Sequence, residues 1–374
     1  MTGWSFHNPV RLHFGDGVFD EVADAIAGRP YLLVTHPDAA MRPWRAHLAG
    51  RAGAPLAAVD DIEPNPSLAM LHRICDRLTA ARLEPALIVA LGGGSVMDTA
   101  KFLAAGHGRY TPVVHYMESG LPPERPALPI IAIPTTSGTG SDLTRWATIW
   151  DPEQGRKLSL DRDDLYAEAV FVDPRITESL PWPITLSSGL DALSHALESL
   201  WNVNATPVTR DFAVAAARDL MAGLARLNGD PLDVGARTVM ALGATRAGLA
   251  FSNTRTALAH NISYPVTLDH GIAHGIACSF CLPDVMRAAI GADGDCDAAL
   301  AGLFGDLDAA PGRLRRFLDD LGVAAGPDAL GIAPDEWREI VDAAFAGPRG
   351  RNFIGTRDRF PIAIPAAAAG VAEA

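Results

Sequence analysis

Four side chains of the kinds that bind transition metals stand out in two short segments. Asp191 and His195 occur in "SGLDALSHALES", and His260 and His274 occur in "LAHNISYPVTLDHGIAHG". Asp191 and His195 are four residues apart, so both lie on one face of a helix. One carboxylate with three imidazoles suits Fe(II) or Zn(II). Such a site leaves room for a substrate oxygen, which the metal would polarise as a Lewis acid. The alternative is an exposed Asp–His pair with separate core or surface histidines.

The spacing of the histidines requires a turn in the chain. A straight helix would place His260 and His274 roughly 21 Å apart, at about 1.5 Å per residue. Pro265 and Gly271 favour a break between them. The sequence therefore predicts that the chain turns there and returns His274 to the site.

A glycine-rich loop in "LGGGSVMDTAK" has the composition of a phosphate-binding turn. Gly93 and Gly94 let the backbone approach a ligand closely, and a helix N-terminus attracts a diphosphate. Ser95 fits the N-cap position and Asp98 the N3 position of that helix. The segment is neither a GxGxxG fingerprint nor a Walker loop. A tight structural turn with a capped helix is the alternative.

A second loop, "IPTTSGTGSD", also follows a strand-like run. Its hydroxyls at Thr135, Thr136 and Thr139 suit phosphate or ribose. Lys157, in "GRKLSL", reaches toward the same ligand or is simply solvated. Two such loops in one domain favour a nucleotide site.

The elements that position these groups divide the chain into two parts. Strand-like runs "PYLLVTH", "PALIVALGGG", "ALPIIAIPTTSGTGS" and "AEAVFVDP" alternate with helical stretches, which predicts an α/β domain with a mostly parallel sheet. Ligands of such sheets bind at the carboxyl ends of the strands. After "SLPWPITLSSG" the pattern is Ala- and Leu-rich with helical spacing. We therefore predict an α/β dinucleotide-binding domain at 1–182 and an all-helical metal-binding domain at 183–374.

Composition narrows the function classes. The 374 residues carry a net charge of −13 and a pI near 5.2, which argues against nucleic acid or an anionic membrane as the partner. No apolar run is long enough for a transmembrane helix, and the first residues do not resemble a secretory signal. Four cysteines are no disulfide framework, and Cys278 and Cys281 form a lone CxxC that we interpret as buried thiols. A cytoplasmic protein is expected.

Taken together, "GGGSVMDTAK", "PTTSGTGSD", "GLDALSHALES", "LAHNISYP" and "AHG" resemble the motifs of the iron-containing (group III) alcohol dehydrogenases, in order and spacing over essentially the whole chain. The resemblance implies the dehydroquinate synthase-like fold, with a site in the cleft between the two domains, and a homodimer. It implies these roles: Asp191, His195, His260 and His274 as metal ligands; Gly93, Gly94, Ser95 and Asp98 at the diphosphate; Thr135, Thr136 and Lys157 along the rest of the nicotinamide cofactor.

Two positions depart from the family pattern. Many members have "H-x-x-x-H-P" after the third ligand, and here Tyr264 replaces the second histidine. Tyr264 or His270 is therefore the candidate proton relay, since each carries a titratable proton. NAD-specific members often have Asp where His36 stands. Without that carboxylate a 2′-phosphate is not repelled, so both NAD(H) and NADP(H) are expected cofactors.

The substrate prediction depends on Arg255, which lies five residues before His260 where many members are apolar. The surrounding variant looks like the phosphonate-associated branch, such as phosphonoacetaldehyde reductases. An arginine fork binds phosphonate or sulfonate in bidentate fashion. Arg349 and Arg351 add to this pocket or are surface charges.

We therefore interpret the chain as a metal-dependent NAD(P)-linked aldehyde reductase or alcohol dehydrogenase, with Fe(II) or Zn(II), acting on a short aldehyde or alcohol that bears a phosphonate or sulfonate. The alternatives are a generic short-chain alcohol dehydrogenase of the same family, a metal-dependent lyase of the dehydroquinate-synthase type, and a non-catalytic nucleotide-binding module.

Overall fold

The computed structural model describes residues 3–121, 123–324 and 326–361. The predicted fold class is confirmed: a parallel sheet with helices is followed by a helical region. The last part of the predicted second domain, residues 362–374, lies outside the described residues.

A six-stranded parallel sheet, in the order β1-β8-β5-β4-β2-β3, forms the first region. The strands are β1 Arg11–Phe14, β2 Tyr31–Thr35, β3 Ala57–Val59, β4 Leu87–Gly92, β5 Ile130–Pro134 and β8 Ala169–Val172. The four predicted strands are β2, β4, β5 and β8. They are the buried ones, because a parallel sheet covered on both faces requires continuous apolar runs.

The remaining strands were not predicted. β1 and β3 are short strands at the two edges of the sheet. β6 (Trp146–Asp151) and β7 (Arg156–Asp161) form a separate antiparallel hairpin. Its alternation of apolar and polar residues is weak, so the sequence pattern did not identify it.

Five helices accompany the sheet: α1 Val22–Ile26, α2 Arg42–Ala52, α3 Leu68–Ala80, α4 Gly94–Gly106 and α5 Tyr110–Ser119. α3 begins at Ser67, whose Oγ accepts a hydrogen bond from the backbone N–H of Met70. α4 begins differently from the prediction. Its N-cap is Gly93, with no side-chain cap, and Ser95 already lies inside the helix.

From Trp182 onward the regular elements of the described residues are helices and short 3-10 turns. The helices are α6 Trp182–Leu200, α7 Pro207–Gly229, α8 Val234–Thr254, α9 Leu258–His270, α10 His274–Ser279, α11 Leu282–Ala289, α12 Gly294–Phe304, α13 Ala310–Asp320 and α14 Pro334–Ala346.

The turn between His260 and His274 is present, although only one of the two predicted breaks causes it. α9 continues through Pro265. It ends at Gly271, whose left-handed φ of 67° closes the helix, and α10 begins at His274. The turn brings the rings of His260 and His274 to 5.6 Å between centroids.

Contacts divide the described residues into two compact units. The sheet unit contains His7–Pro181 and Leu232–Ala241. The helical unit contains residues 3–6, Trp182–Pro231 and the described residues from Leu242 onward. No helix among the described residues is long and apolar enough to cross a membrane.

Candidate active site

Three imidazoles of the helical unit meet at one carboxylate oxygen. Oδ1 of Asp191 lies 3.3 Å from Nε2 of His260, 3.8 Å from Nε2 of His195 and 3.8 Å from Nε2 of His274. Asp191 and His195 come from one face of α6, and the other two histidines from α9 and α10. All four predicted ligands are therefore brought together.

The spacing of these atoms fits a bound cation. Ligands about 2.0 to 2.2 Å from a tetrahedral zinc or iron lie roughly 3.4 Å from one another. Oδ1 of Asp191 and Nε2 of His260 are buried and have no hydrogen bond of good geometry among the described residues. Buried polar atoms are normally satisfied, and a metal would satisfy both. The donor set therefore fits the iron or zinc predicted from the sequence.

Glu198 fixes the orientation of His260. Its Oε2 lies 2.7 Å from Nδ1 of His260, and its carboxylate also accepts hydrogen bonds from the backbone N–H groups of Ala257 and Ala259. With Nδ1–H donated to Glu198, Nε2 of His260 faces Asp191 and is the nitrogen that can bind a metal in place of a proton. Carboxylate–histidine pairs of this kind orient metal ligands. Glu198 was not predicted from the sequence. Its position seven residues after Asp191, on the same helix face, was the available signal.

Packing holds the other rings. Phe251 stacks on His195 with centroids 4.0 Å apart and planes 4° from parallel. His195 in turn stacks on His260 at 4.5 Å. Rotation of either imidazole would disrupt these stacked contacts, so the ring positions are set before any ligand arrives.

The charges of the cluster favour a cation. Burial opposes ionisation of Asp191, but the three histidines outweigh it and hold its pKa well below the usual range. Burial lowers the pKa of His195 to about 3, so this ring is neutral, the form that binds metals. Burial would also lower the pKa of His260, but Cys278 and Glu198 raise it well above its ordinary value. The pocket therefore stabilises positive charge beside these imidazoles.

Cys278 also belongs to this cluster, although the sequence did not predict a place for it there. Asp191, His260, His274 and Cys278 each offer one donor atom, and these atoms all lie within 4.8 Å of one another. Cys278 is buried as predicted, and its Sγ lies 3.6 Å from Nε2 of His274. Burial raises the pKa of its thiol, while His260 and His274 outweigh this and lower the pKa to about 7. Cys278 lies four residues after His274, and this helical spacing could have indicated from the sequence that the two side chains share one face.

Gly275 allows α10 to lie directly against α6. A Cβ at this position would be 1.8 Å from the carbonyl oxygen of Ser187. The backbone of α10 can approach α6 this closely only because residue 275 has no side chain. This contact sets the positions of His274 and Cys278 relative to Asp191.

The two candidate proton relays have different surroundings. Tyr264 lies with its ring nearly parallel to that of His274, 6.3 Å between centroids. His270 is paired elsewhere, with its Nε2 2.7 Å from Oε1 of Glu336 in α14. Tyr264 thus adjoins a predicted metal ligand. His270 instead contacts Glu336, where α9 packs on α14.

The predicted arginines also differ. Arg255 is exposed and has a left-handed backbone, with φ of 65°. Arg349 is half-buried: its Nε donates to Oγ1 of Thr256 at 2.9 Å, and its guanidinium lies 5.0 Å from the ring centre of Tyr264. Arg351 is exposed. The structure therefore places Arg349, a weaker candidate than Arg255 from the sequence alone, beside Tyr264, which adjoins the predicted metal ligand His274.

In the sheet unit the two glycine-rich loops are in contact. A Cβ on Gly94 would lie 2.7 Å from Cγ2 of Thr139, and one on Gly93 would lie 3.2 Å from Oγ1 of Thr136. Thr135 is buried and donates its N–H to the carbonyl of Gly92. The loops after β4 and β5 thus form one surface at the start of α4, where backbone N–H groups are free to bind an anion.

The predicted acidic capping box at Ser95 and Asp98 is wrong. Oγ of Ser95 instead accepts the N–H of Asn65. Asp98 accepts a hydrogen bond from Oγ of Ser141 at 2.7 Å and one from the N–H of Thr148 at 3.0 Å. The carboxylate is therefore occupied in joining α4 to the second loop and the hairpin, because α4 begins two residues earlier than expected.

Lys101 completes this network. Its Nζ donates to Oγ of Ser141 at 3.0 Å and to the carbonyl of Trp146 at 2.6 Å. Burial lowers its pKa to about 8, although neighbouring Asp98 and Asp142 oppose that shift. Lys157 lies with its ammonium 5.6 Å from the ring centre of Trp150 and lowers the pKa of Asp98 through its charge, against the larger effect of burial.

His36 follows β2 as predicted, at the carboxyl edge of the sheet. Its Nδ1 lies 3.1 Å from Oδ2 of Asp38. A carboxylate is thus present at this edge after all, two residues later than the position at which the family often has one.

The chain matches a known protein family over most of its length. Residues 9–174 match the family described as iron-containing alcohol dehydrogenase, and residues 185–356 match its C-terminal region. The chain is 30% identical to a sulfoacetaldehyde reductase of Bilophila wadsworthia, covering 91% of this chain and 92% of that protein. It is 32% identical to a phosphonoacetaldehyde reductase of Streptomyces viridochromogenes, covering 84% of each.

Among solved structures, a sulfoacetaldehyde reductase from Bifidobacterium kashiwanohense in complex with NAD+ superposes with a TM-score of 0.87 at 29% identity, covering 94% of this chain and 95% of that one. The two matched ranges extend over both units. They include the loops after β4 and β5 and most or all of helices α6, α9 and α10. The chain therefore belongs to the iron-containing alcohol dehydrogenase family and is an oxidoreductase.

Proposed function

We propose that this protein is a metal-dependent, NAD(P)-linked reductase of short aldehydes that bear a sulfonate or phosphonate group. The observation that carries the substrate class is the position of Arg349 against Tyr264, which itself adjoins His274. A half-buried guanidinium beside the predicted metal ligands suits an anionic group two or three bonds from a carbonyl. The names of the two reductases reported above support the same class.

The proposed ligands are Asp191, His195, His260 and His274. When bound, the metal supplies a Lewis acid for the carbonyl oxygen, and the nicotinamide supplies or accepts the hydride. The residues of this chain hold and orient the reactants. Glu198 holds His260 so that Nε2 faces the proposed metal position, and Phe251 prevents His195 from rotating.

The cofactor is proposed to bind at the loops after β4 and β5. Gly93, Gly94 and the first turn of α4 would hold the diphosphate through backbone N–H groups. Ser95, Thr135, Thr136, Thr139 and Lys157 are its proposed polar contacts. Asp98 would act indirectly, by fixing Ser141 and the hairpin. His36 and Asp38 would meet the adenosine ribose, and both NAD(H) and NADP(H) are proposed as cofactors.

Tyr264 is the better supported proton donor of the two candidates. Its ring lies beside that of His274, one of the proposed ligands, so its phenol can donate a proton to an alkoxide that develops there. His270 is engaged with Glu336 and would act only if that pair separated.

We also propose a homodimer that acts in the cytoplasm. The family supports the dimer. The four cysteines are all free and buried, which suits a reducing compartment.

The test is a substrate panel on anaerobic enzyme loaded with Fe(II) or Zn(II). Oxidation of NADH and of NADPH would be followed with sulfoacetaldehyde and phosphonoacetaldehyde, against propanal and lactaldehyde. A large preference in kcat/KM for the charged aldehydes is expected. Equal rates would indicate a generic alcohol dehydrogenase, and no oxidation of reduced cofactor with any aldehyde would favour the lyase alternative.

Arginine variants locate the anion site. Arg349→Ala is expected to lower kcat/KM for the charged aldehydes by about 10- to 100-fold, the cost of a lost charged hydrogen bond, and to leave propanal unaffected. Arg255→Ala tests the residue that the sequence favoured. Arg338→Ala is the matched control, because Arg338 is an exposed arginine of the same unit paired with Asp335. If the Arg349 and Arg338 variants behave alike, Arg349 does not bind the anion.

A further inference from the structure

We propose that Sγ of Cys278 is a fifth protein donor to the metal, beside the four proposed ligands. This inference rests on the proposed function, because it requires a metal at Asp191, His260 and His274. The family resemblance described above gives no role to Cys278.

Distances place the sulfur in the coordination sphere. Sγ of Cys278 lies 3.6 Å from Nε2 of His274. A five-coordinate metal that binds sulfur at about 2.3 Å and imidazole nitrogen at about 2.0 Å, with angles of about 90° to 120° between them, separates those two atoms by roughly 3.0 to 3.7 Å. The sulfur is also within 4.8 Å of the donor atoms of Asp191 and His260.

A second observation is independent of the cysteine. The buried Oδ1 of Asp191 and Nε2 of His260 have no hydrogen bond of good geometry among the described residues, and both belong to the group of donors that contains Sγ. A cation that satisfies these two atoms therefore lies near the sulfur as well. Cys278 is fully buried, so its sulfur has no competing contact with solvent.

The local structure fixes the sulfur in this position. His274 and Cys278 are four residues apart in α10, the same spacing that Asp191 and His195 have in α6. Gly275 holds α10 against α6, so the face of α10 that carries both side chains points at Asp191. Each of these two helices thus supplies a pair of donors.

Binding is a ligand exchange without oxidation. The S–H bond of Cys278 breaks, its proton passes to solvent, and the sulfur lone pair forms a bond to the divalent cation. One additional proton is released for each metal bound. A thiolate is a soft ligand, so it would shift the preference of the site from Fe(II) toward Zn(II).

X-ray absorption at the zinc edge tests the proposal on the unaltered full-length protein. We expect one sulfur at about 2.3 Å in addition to the nitrogen and oxygen shell. A first shell of nitrogen and oxygen alone would overturn the proposal. This measurement needs no variant, so it remains decisive even if substitution of Cys278 impairs folding.

Cobalt substitution then identifies the cysteine. Wild type and Cys281→Ser, loaded with Co(II), should show a near-ultraviolet thiolate-to-cobalt charge-transfer band, and Cys278→Ser should lose it while retaining the visible d–d bands. Cys281 is the matched control, since it is also buried and three residues away. Persistence of the charge-transfer band in Cys278→Ser, or its loss only in Cys281→Ser, would refute the assignment.

The two proposals fail in different ways. A wild-type protein that binds no metal would refute the ligand set and the proposed function together. A protein that binds one metal through nitrogen and oxygen alone, with a reductase activity toward aldehydes, would leave the proposed function standing and remove only Cys278.

Discussion

Nδ1 of His260 lies 2.7 Å from Oε2 of Glu198, and Nε2 of the same ring lies 3.3 Å from Oδ1 of Asp191. One imidazole thus joins two carboxylates of a single helix, α6. The buried Glu198 accepts the N–H of Nδ1, so Nε2 is the nitrogen that faces Asp191 and would bind a metal in place of a proton. The ring orientation that metal binding requires is therefore set by the packing of α9 on α6.

Replacement of Glu198 should weaken metal binding. Glu198→Gln keeps the volume but presents an amide, which no longer enforces Nδ1–H on His260. The dissociation constant for Zn(II), measured by competition with a chelator, should rise about 10- to 100-fold. Glu339→Gln, an exposed glutamate of α14, is the control. Equal affinities in the two variants would show that Glu198 serves only the backbone of α9.

Gly275→Ala should separate α10 from α6. The new Cβ would be 1.8 Å from the carbonyl oxygen of Ser187, so the helix must move and take His274 with it. A loss of about 1 to 3 kcal/mol in unfolding free energy is expected, together with weaker metal binding. Gly294→Ala in α12 is the matched control, because nothing lies within 4 Å of its added Cβ. Calorimetry with and without Zn(II) would measure both effects.

Gly94→Ala should impair the cofactor loops without affecting the metal. The Cβ would press on Thr139 at 2.7 Å and obstruct the first turn of α4. We expect the dissociation constant for NADH to rise about tenfold or more, equivalent to about 1.4 kcal/mol, with unchanged zinc affinity. Gly50→Ala in α2 has open space and should match wild type. An unchanged NADH affinity in Gly94→Ala would place the diphosphate elsewhere.

Asp142 predicts a pH dependence of stability. Burial raises its pKa from 3.8 to about 6, so between these values the folded protein holds a proton that the unfolded chain releases. The stabilising contribution of the protonated carboxyl is therefore lost as pH rises from about 4 to 6, by at most about 1.4 kcal/mol per pH unit.

The measurement compares urea unfolding of wild type and Asp142→Asn across that range. The advantage of wild type over the asparagine variant should shrink as pH rises, because asparagine does not titrate. Asp24→Asn, at an exposed position of the same unit, should show no such trend. A difference that stays constant from pH 4 to 6 would contradict the raised pKa.

Much of the fold was predictable because its signals are local. The central strands β2, β4, β5 and β8 are continuous apolar runs, and some helices after Trp182, such as α13 and α14, have one distinct apolar face. Edge strands β1 and β3 were missed, since three or four residues carry too little pattern to distinguish a strand from a loop.

The site was predictable where residue type alone reveals chemistry. Asp191 and the three histidines have few other reasons to occur at those spacings. The positions of Glu198 and Cys278 in this cluster were missed because they depend on which helix faces each side chain. A glutamate late in an amphipathic helix normally faces solvent, and a lone CxxC is normally a buried pair. Arg349 lies far in sequence from His274, so only the tertiary structure shows that Tyr264 links them.

The proposed metal donors all belong to the helical unit, while both glycine-rich loops belong to the sheet unit. The proposed metal site and the proposed cofactor site are thus formed by different stretches of the chain. Under the two proposals, a substitution of a donor on α10, such as Cys278, would leave the residues of the glycine-rich loops unchanged. Choice of metal and choice of cofactor are then separate traits, open to independent selection and to independent redesign.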